Sequence, residues 1–291
     1  MTDAAGIRPT FMPSPSAEAV LADSAGDTAF ATTLAKGFVV LEAFEGAPLL
    51  GNMEISVCTG IPRPTVARLT HTLAELGYLN YDARVAKYTV GTRALRMLHP
   101  LLAGMPFRQF ARPLMQDLAC SVRGTVSIGL LDGPSLVYVE TARSGEVGPH
   151  TPDIGMSIPV IRTAMGRAAA STLSEPEDAE LEQQLEAADG AMWASYRDLY
   201  RDGVRQCAER QFCVCFGDYI PTIHAIAAPL FRLRDRSFAI NCDIPAFRLQ
   251  RGQLEDEIGP RVRALAESIR ALVMHPEPAA PRVRPPKTHA R

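Results

Sequence analysis

Between residues 32 and 45 the apolar positions recur at helical intervals, Leu34, Phe38 and Leu41 on one track and Val40 and Phe44 on another. The spacing predicts an amphipathic helix, ended by Gly46 and Pro48. A short second helix over 52–59 stops at Gly60. Pro62 and Pro64 then open a third, because proline is tolerated in the first turn of a helix and not deeper. That helix runs to about Leu76, carries Val66, Leu69, Leu73 and Leu76 on one stripe, and ends on a Gly77 cap. Two short aromatic and β-branched runs, 78–81 and 88–90, flank a polar stretch from Asp82 to Lys87, which is a hairpin signal. Three helices followed by a hairpin make the plan of a winged helix-turn-helix over 29–91.

A helical stretch follows at 92–104, with Leu95, Leu98, Leu101 and Leu102 facing a partner and Pro100 arguing for a break or kink. Beyond it the period alternates. Helices are expected at 106–121, 163–173, 178–188, 193–209 and 251–274, and strands near 125–131, 135–141, 155–161, 211–217, 223–231 and 236–243. Strands at the centre with helices outside describe an α+β sensor domain over 106–275, joined to the first domain by a linker helix at 92–105. Residues 1–28 and the Pro-rich basic stretch 276–291 lack sustained apolar periodicity and read as disordered tails.

Composition narrows the class. In 291 residues, hydrophobic types make up 47% and charged types 21%, the mix of a soluble globular chain. No apolar run is long enough to span a bilayer, and the first residues lack the basic-then-apolar pattern of a secretory signal, so a cytoplasmic protein with no membrane partner is expected. Six cysteines at irregular spacing suggest neither disulfides nor a zinc site, and no metal or cofactor is expected. The net charge of −2 does not advertise a nucleic-acid binder, and between 30 and 98 seven Lys and Arg only slightly exceed five Asp and Glu. Any affinity for DNA must come from a local surface.

That surface is the start of the third helix. In a helix-turn-helix the second helix of the pair enters the major groove, and residues near its N-terminus reach base edges. At about 100° per residue, Thr65, Arg68 and Thr72 share a face beside the apolar stripe, and Arg63 projects from the first turn. Arginine offers a bidentate contact to guanine, and threonine a methyl or hydroxyl. Lys36, and Arg84 and Lys87 in the wing, are expected to hold phosphates, which fix register without reading sequence. The bland alternative for each is a solvated helix or turn.

These residues carry a resemblance. Leu34-Ala35-Lys36-Gly37, Leu41-Glu42-Ala43-Phe44, the run from Gly60 to Leu69, Leu76-Gly77-Tyr78-Leu79 and Tyr88-Thr89-Val90-Gly91 resemble the IclR family of bacterial regulators over roughly residues 30–275. The resemblance implies a winged helix-turn-helix, a dimerising linker helix and a GAF/PAS-like effector-binding domain. It also implies an operator in double-stranded DNA, a small-molecule effector such as a catabolic organic or aromatic acid, and a dimer or tetramer. Two positions depart from the family pattern. Pro64 stands where Ser or Thr is usual, and Ala86 stands where many members carry glycine in the wing, so a different wing turn is expected.

The resemblance further implies a pocket built from Met156, Ala164, Met165 and Gly166 on a strand-turn-helix segment, Asp218 and Ala225 on a second segment, and Asn241 and Asp243 on the last strand. Period two puts Asn241 and Asp243 on one face, where family members often carry serines. Unpaired amides at the helix start near Ala164 would suit a carboxylate. An acidic Asp243 would repel one unless Arg162 or Arg167 paired it, or unless the ligand offered hydroxyl or cationic groups. Structural roles compete throughout, with Met156 and Met165 as core filler, Gly166 for close packing and His224 as a core or rim histidine. Two alternatives of other classes remain: a C-terminal domain that only oligomerises, and an enzyme built on Cys213 or Cys215 with His224 and Asp218.

Overall fold

Residues 27–145 and 151–274 are described by the structure, a computed structural model. The two tails predicted to be disordered lie outside these residues apart from Asp27 and Thr28.

Helix α1 (Thr32–Glu42) continues into a 3₁₀ turn at Ala43–Glu45 and buries Val39, Val40 and Phe44. Of the other track only Leu41 packs half-buried against this core, and Leu34 and Phe38 are 62% and 48% exposed. Helices α2 (Asn52–Thr59) and α3 (Arg63–Glu75) form the helix-turn-helix. The turn between them depends on Gly60, whose φ of +70° lies where only glycine sits without cost. Thr59 Oγ1 donates to the Ile55 carbonyl at 2.6 Å and Ser56 Oγ to the Ile61 carbonyl at 2.7 Å, which closes the turn. Buried Thr70 Oγ1 donates across to Asn52 Oδ1 at 2.9 Å, fixing α3 against α2. Ile55, Ile61 and Val66 pack in the core beneath.

Strands β1 (Leu79–Asp82) and β2 (Lys87–Val90) pair antiparallel as the wing, with Tyr81 opposite Tyr88 and their rings 4.9 Å apart. The tip does not avoid the conformation that glycine serves elsewhere: Ala86 has φ +53°. An L side chain there costs roughly 1–2 kcal/mol, offset in part by the roughly 0.4–1 kcal/mol of chain entropy that glycine would add to the unfolded state. Ala86→Gly is therefore expected to stabilise the protein by about 0.5–1 kcal/mol. A urea midpoint that stays put or falls at unchanged slope would contradict this.

Helix α4 (Thr92–Ala103) runs through Pro100 without the expected break. No residue of α4 is buried, so a carbonyl freed by the proline stays open to water. Leu95 is 69% exposed, and Leu98, Leu101 and Leu102 find no full cover within the described residues.

The C-terminal part is a six-stranded antiparallel sheet in the order β5-β4-β3-β8-β7-β6. Its strands are β3 (Thr125–Asp132), β4 (Ser135–Arg143), β5 (Ser157–Pro159, shorter than the expected 155–161), β6 (Cys213–Phe216), β7 (Ile223–Leu233) and β8 (Arg236–Pro245). One face is covered by α5 (Phe107–Val122) and α9 (Gly259–Met274), which meet Val126, Ile128, Ile226, Ile240 and Cys242. The other is covered by α6 (Ala164–Ala170), α7 (Glu175–Ala188) and α8 (Gly190–Arg210), which meet Leu136, Tyr138, Ala227 and Ala239. Because a strand alternates faces, β8 sends Phe238, Ile240, Cys242 and Ile244 to the first core and leaves Ala239, Asn241 and Asp243 on the second side.

Candidate functional site

Two places gather the chemistry, the start of α3 and a cavity beside α6. On α3, Arg63, Arg68 and Thr72 are exposed and Thr65 is half-buried, while Val66 and Thr70 on the adjoining side are buried. Pro62 caps the helix and Pro64 lies in its first turn. Thr72 Oγ1 donates back to the Arg68 carbonyl at 2.9 Å, leaving its hydroxyl oxygen available as an acceptor. The face is therefore polar, anchored from behind by Asn52, and free of folding duties.

The expected phosphate contacts differ among themselves. Lys36 is half-buried on α1. Arg84 is exposed but forked onto Asp82, with Nε at 3.2 Å and Nη2 at 3.0 Å. Such a surface pair is weak enough to exchange for a phosphate. Lys87 Nζ donates to Glu54 Oε1 at 2.6 Å, and Glu54 Oε2 accepts from the Gly51 amide at 2.6 Å. The Lys87 hydrogen bond, followed by that of Gly51, holds the Glu54 carboxyl below its ordinary range. Lys87 thus ties the wing to α2, a role not legible from its place in the wing.

The cavity lies between α6, β8 and the loop joining β6 to β7. Its apolar walls are Ile158, Ala164, Ile220, Ile223 and Ala225, and its polar lining is Tyr138, Thr163, Cys215, Tyr219, Asn241 and Asp243. Four of the eight expected pocket residues meet here: Ala164, Ala225, Asn241 and Asp243. The other four do not line it. Met165 is fully buried in the core, and Met156 packs half-buried against the same cluster. Gly166 lies so close to the Val160 backbone that a Cβ would fall 2.4 Å from its Cα, so it serves packing. Asp218 Oδ2 accepts from Arg167 Nη2 at 2.5 Å.

The start of α6 is also spoken for. Thr163 Oγ1 accepts from the Gly166 amide at 3.2 Å and donates to the Pro159 carbonyl at 2.8 Å, so the expected carboxylate cradle is partly closed by the chain's own cap. Arg162 and Arg167 do not pair with Asp243. Arg162 donates to the carbonyls of Asp218 and Tyr219, and Arg167 to the Ile161 carbonyl and Asp218. Asp243 Oδ1 instead accepts from Asn241 Nδ2 at 2.8 Å. Burial pushes the Asp243 carboxyl up to about 7, against the smaller opposing effect of that hydrogen bond.

Tyr138, Ile158, Thr163, Cys215, Tyr219, Ile220 and Ile223 were not among the expected pocket residues. The alternation of β4 and β6 selects the faces of Tyr138 and Cys215, but only the strand order brings them beside Asp243.

The cysteine-based alternative finds no arrangement. Cys213 Sγ donates to the Ala164 carbonyl at 3.3 Å and Cys215 Sγ to that of Arg162 at 3.5 Å, both buried. Burial raises the Cys215 thiol to about 11, far from a reactive thiolate. His224 stands edge-on to Phe216 at 5.3 Å, and Asp218 is held by Arg167. Among the described residues there is no cluster suited to a metal ion, and no helix is long and apolar enough to cross a membrane.

Comparison with known proteins adds to this geometry. The pattern of the IclR helix-turn-helix domain matches residues 33–83, and that of the bacterial transcriptional regulator IclR C-terminal domain matches residues 99–271. The chain is 25% identical over 247 residues to the HTH-type transcriptional regulator TsaQ1/TsaQ2 of Comamonas testosteroni, spanning 84% of this chain and 89% of that protein. It is 28% identical over 254 residues to the Pca regulon regulatory protein of Pseudomonas putida, spanning 84% of each. A crystal structure of an IclR family transcriptional regulator from Brucella abortus superposes with a TM-score of 0.75 at 33% identity, covering 84% of this chain and 92% of that one.

Proposed function

Because the chain belongs to the IclR family of DNA-binding transcriptional regulators, which are not enzymes, we propose that Arg63, Thr65, Arg68 and Thr72 read operator bases while a small-molecule effector in the cavity beside α6 modulates binding. The observation that carries the first half is a polar face on α3 that is exposed while its opposite face is pinned to α2 by Thr70 and Asn52. The second half is supported by a cavity that gathers polar side chains from β4, β8 and the α6 cap. The effector belongs to the small organic compounds, organic or aromatic acids among them, in keeping with a relative named for the Pca regulon.

Lys36 and Arg84 hold phosphates in this reading, and Lys87 contributes after sharing its charge with Glu54. The protein acts in the cytoplasm, where its operator lies. It acts as a dimer or tetramer, since two half-sites match two-fold symmetry and the uncovered leucines of α4 offer an apolar surface for a second copy.

Mobility-shift titration against a duplex selected from a random-sequence pool tests the division of labour. Arg68→Ala is expected to weaken the selected duplex by about 1–3 kcal/mol and a scrambled duplex much less. Arg84→Ala should weaken both alike and reduce the salt slope by about one. The reverse pattern would remove α3 as the reading element, and a monomeric mass by light scattering in the same preparations would remove the symmetric assembly.

A further inference from the structure

The cavity beside α6 has a polar end, Asn241 and Asp243, that holds an open acceptor and a carboxyl without a cationic partner among the described residues. Asn241 is 3% exposed, lines the cavity, and its Oδ1 has no hydrogen-bond partner. One N–H of its Nδ2 goes to Asp243 Oδ1, and its own Oδ1 stays open as an acceptor. No Lys, Arg or His forms an ion pair with Asp243 among the described residues. The two arginines on the neighbouring segment are spent on carbonyls and on Asp218. Apart from the hydroxyls of Tyr138 and Tyr219, the remaining donors of the lining are used elsewhere. Thr163 Oγ1 donates to Pro159, and Cys215 Sγ to the Arg162 carbonyl. A buried acceptor without a donor costs about 1–3 kcal/mol, and an unpaired carboxylate more, so the site is built for an occupant that brings donors.

The geometry points to an effector with a basic nitrogen, an ammonium or amidinium group, seated between Asn241 Oδ1 and Asp243 with its apolar body against Ala164, Ala225 and Ile158. This rests on the reading of the cavity as the effector site, and adds to it the chemistry of the group bound there. An ammonium supplies three donors and the charge that Asp243 lacks, and a carboxylate supplies neither. An aminated organic acid satisfies the same end, with its acid group directed elsewhere.

The cavity's free volume is about 30 Å³, enough for about two waters. A ring-sized ligand therefore enters by displacing the wall that is a loop, which carries Tyr219 and Ile220. The titratable groups that face Asp243 from other elements are Tyr138, Cys215 and Tyr219. Burial raises all three, leaving them neutral near pH 7. Proton exchange on binding at that pH is then a report on Asp243.

Isothermal calorimetry on the full chain with benzylamine and benzoate, at pH 7 in two buffers of different ionisation enthalpy, tests this. Benzylamine is expected to bind at least about tenfold more tightly than benzoate, equivalent to about 1.4 kcal/mol, and to release protons as Asp243 ionises. In Asp243→Asn the preference should collapse to within about threefold, with proton release lost. Tighter benzoate binding, proton uptake, an unchanged preference in Asp243→Asn, or no binding of either probe at millimolar concentration would overturn the assignment. A second readout separates this from the effector reading itself. If a compound without basic nitrogen alters DNA binding while benzylamine fails, only the nitrogen is wrong. If no compound in a broad metabolite screen alters DNA binding, the effector reading falls.

Discussion

Asp218→Ala is expected to destabilise the sheet domain by about 3–5 kcal/mol, because it strands a guanidinium in the core. Arg167 is 2% exposed, with its Nε and Nη2 donating to the Ile161 carbonyl at 3.2 and 3.1 Å. Among the described residues its one carboxylate partner is Asp218, at 2.5 Å. A charge this deep is tolerable only while paired, so removing the partner costs more than the pair itself contributes. The double variant Arg167→Met, Asp218→Ala removes both charges and should recover much of the loss, which makes the coupling measurable as a double-mutant cycle. Urea midpoints at constant slope give the numbers. A loss below about 1 kcal/mol in Asp218→Ala would mean that water reaches Arg167 and that the pair is ordinary surface chemistry. Because Arg162 also donates to the Asp218 and Tyr219 carbonyls, the same variant should speed amide exchange in the loop over the cavity.

That pair also marks where sequence reading stops. Asp218 was assigned to the pocket on its segment, and nothing local reveals that its partner is an arginine 51 residues earlier on another element. Met165 and Gly166 lie outside the cavity for a related reason. The strand-turn-helix segment was correctly recognised, but a helix turns about 100° per residue, so of three consecutive positions only Ala164 meets the cavity. Asn241 and Asp243 were expected in the pocket from the resemblance, and period two put them on one face, which is the side opposite Phe238, Ile240 and Cys242 and the one that lines the cavity. Tyr138 shares their face, yet only the order β4-β3-β8 brings it near them, and order is a property of tertiary pairing.

The same division holds in the first domain. Periodicity found α1 and both of its apolar tracks, but which one is covered was decided by α3 and the wing, leaving Leu34 and Phe38 outside. The helix-turn-helix itself was readable nearly residue for residue, because Gly60, Pro62 and Pro64 act through local backbone geometry alone. Lys87 was the exception, since its link to Glu54 spans 33 residues.

Asp243→Asn is expected to stabilise the protein at pH 8 and to have almost no effect near pH 4. The side chain is nearly isosteric, and Asn241 Nδ2 keeps an oxygen to donate to. What changes is the cost of ionisation. In the unfolded chain Asp243 loses its proton near 3.8, while in the folded protein burial raises that value to about 7. Between those limits the folded state holds a proton that the unfolded state has released, so stability falls as pH rises from about 4 and levels off above about 7. At about 1.4 kcal/mol per pH unit the full difference approaches about 4 kcal/mol. That is a ceiling, because the side chain keeps some accessible surface in the cavity. Asparagine has no proton to lose, so the wild-type deficit should open through this window and stay constant at higher pH, with each kcal/mol worth about 2–4 °C in Tm. Taking the difference between the two proteins at each pH cancels every other titrating group. A difference independent of pH would mean that Asp243 titrates normally in a solvated site. A wild type more stable than the variant at pH 8 would mean that a cation already pairs with it, and the cavity's demand for a donor would disappear.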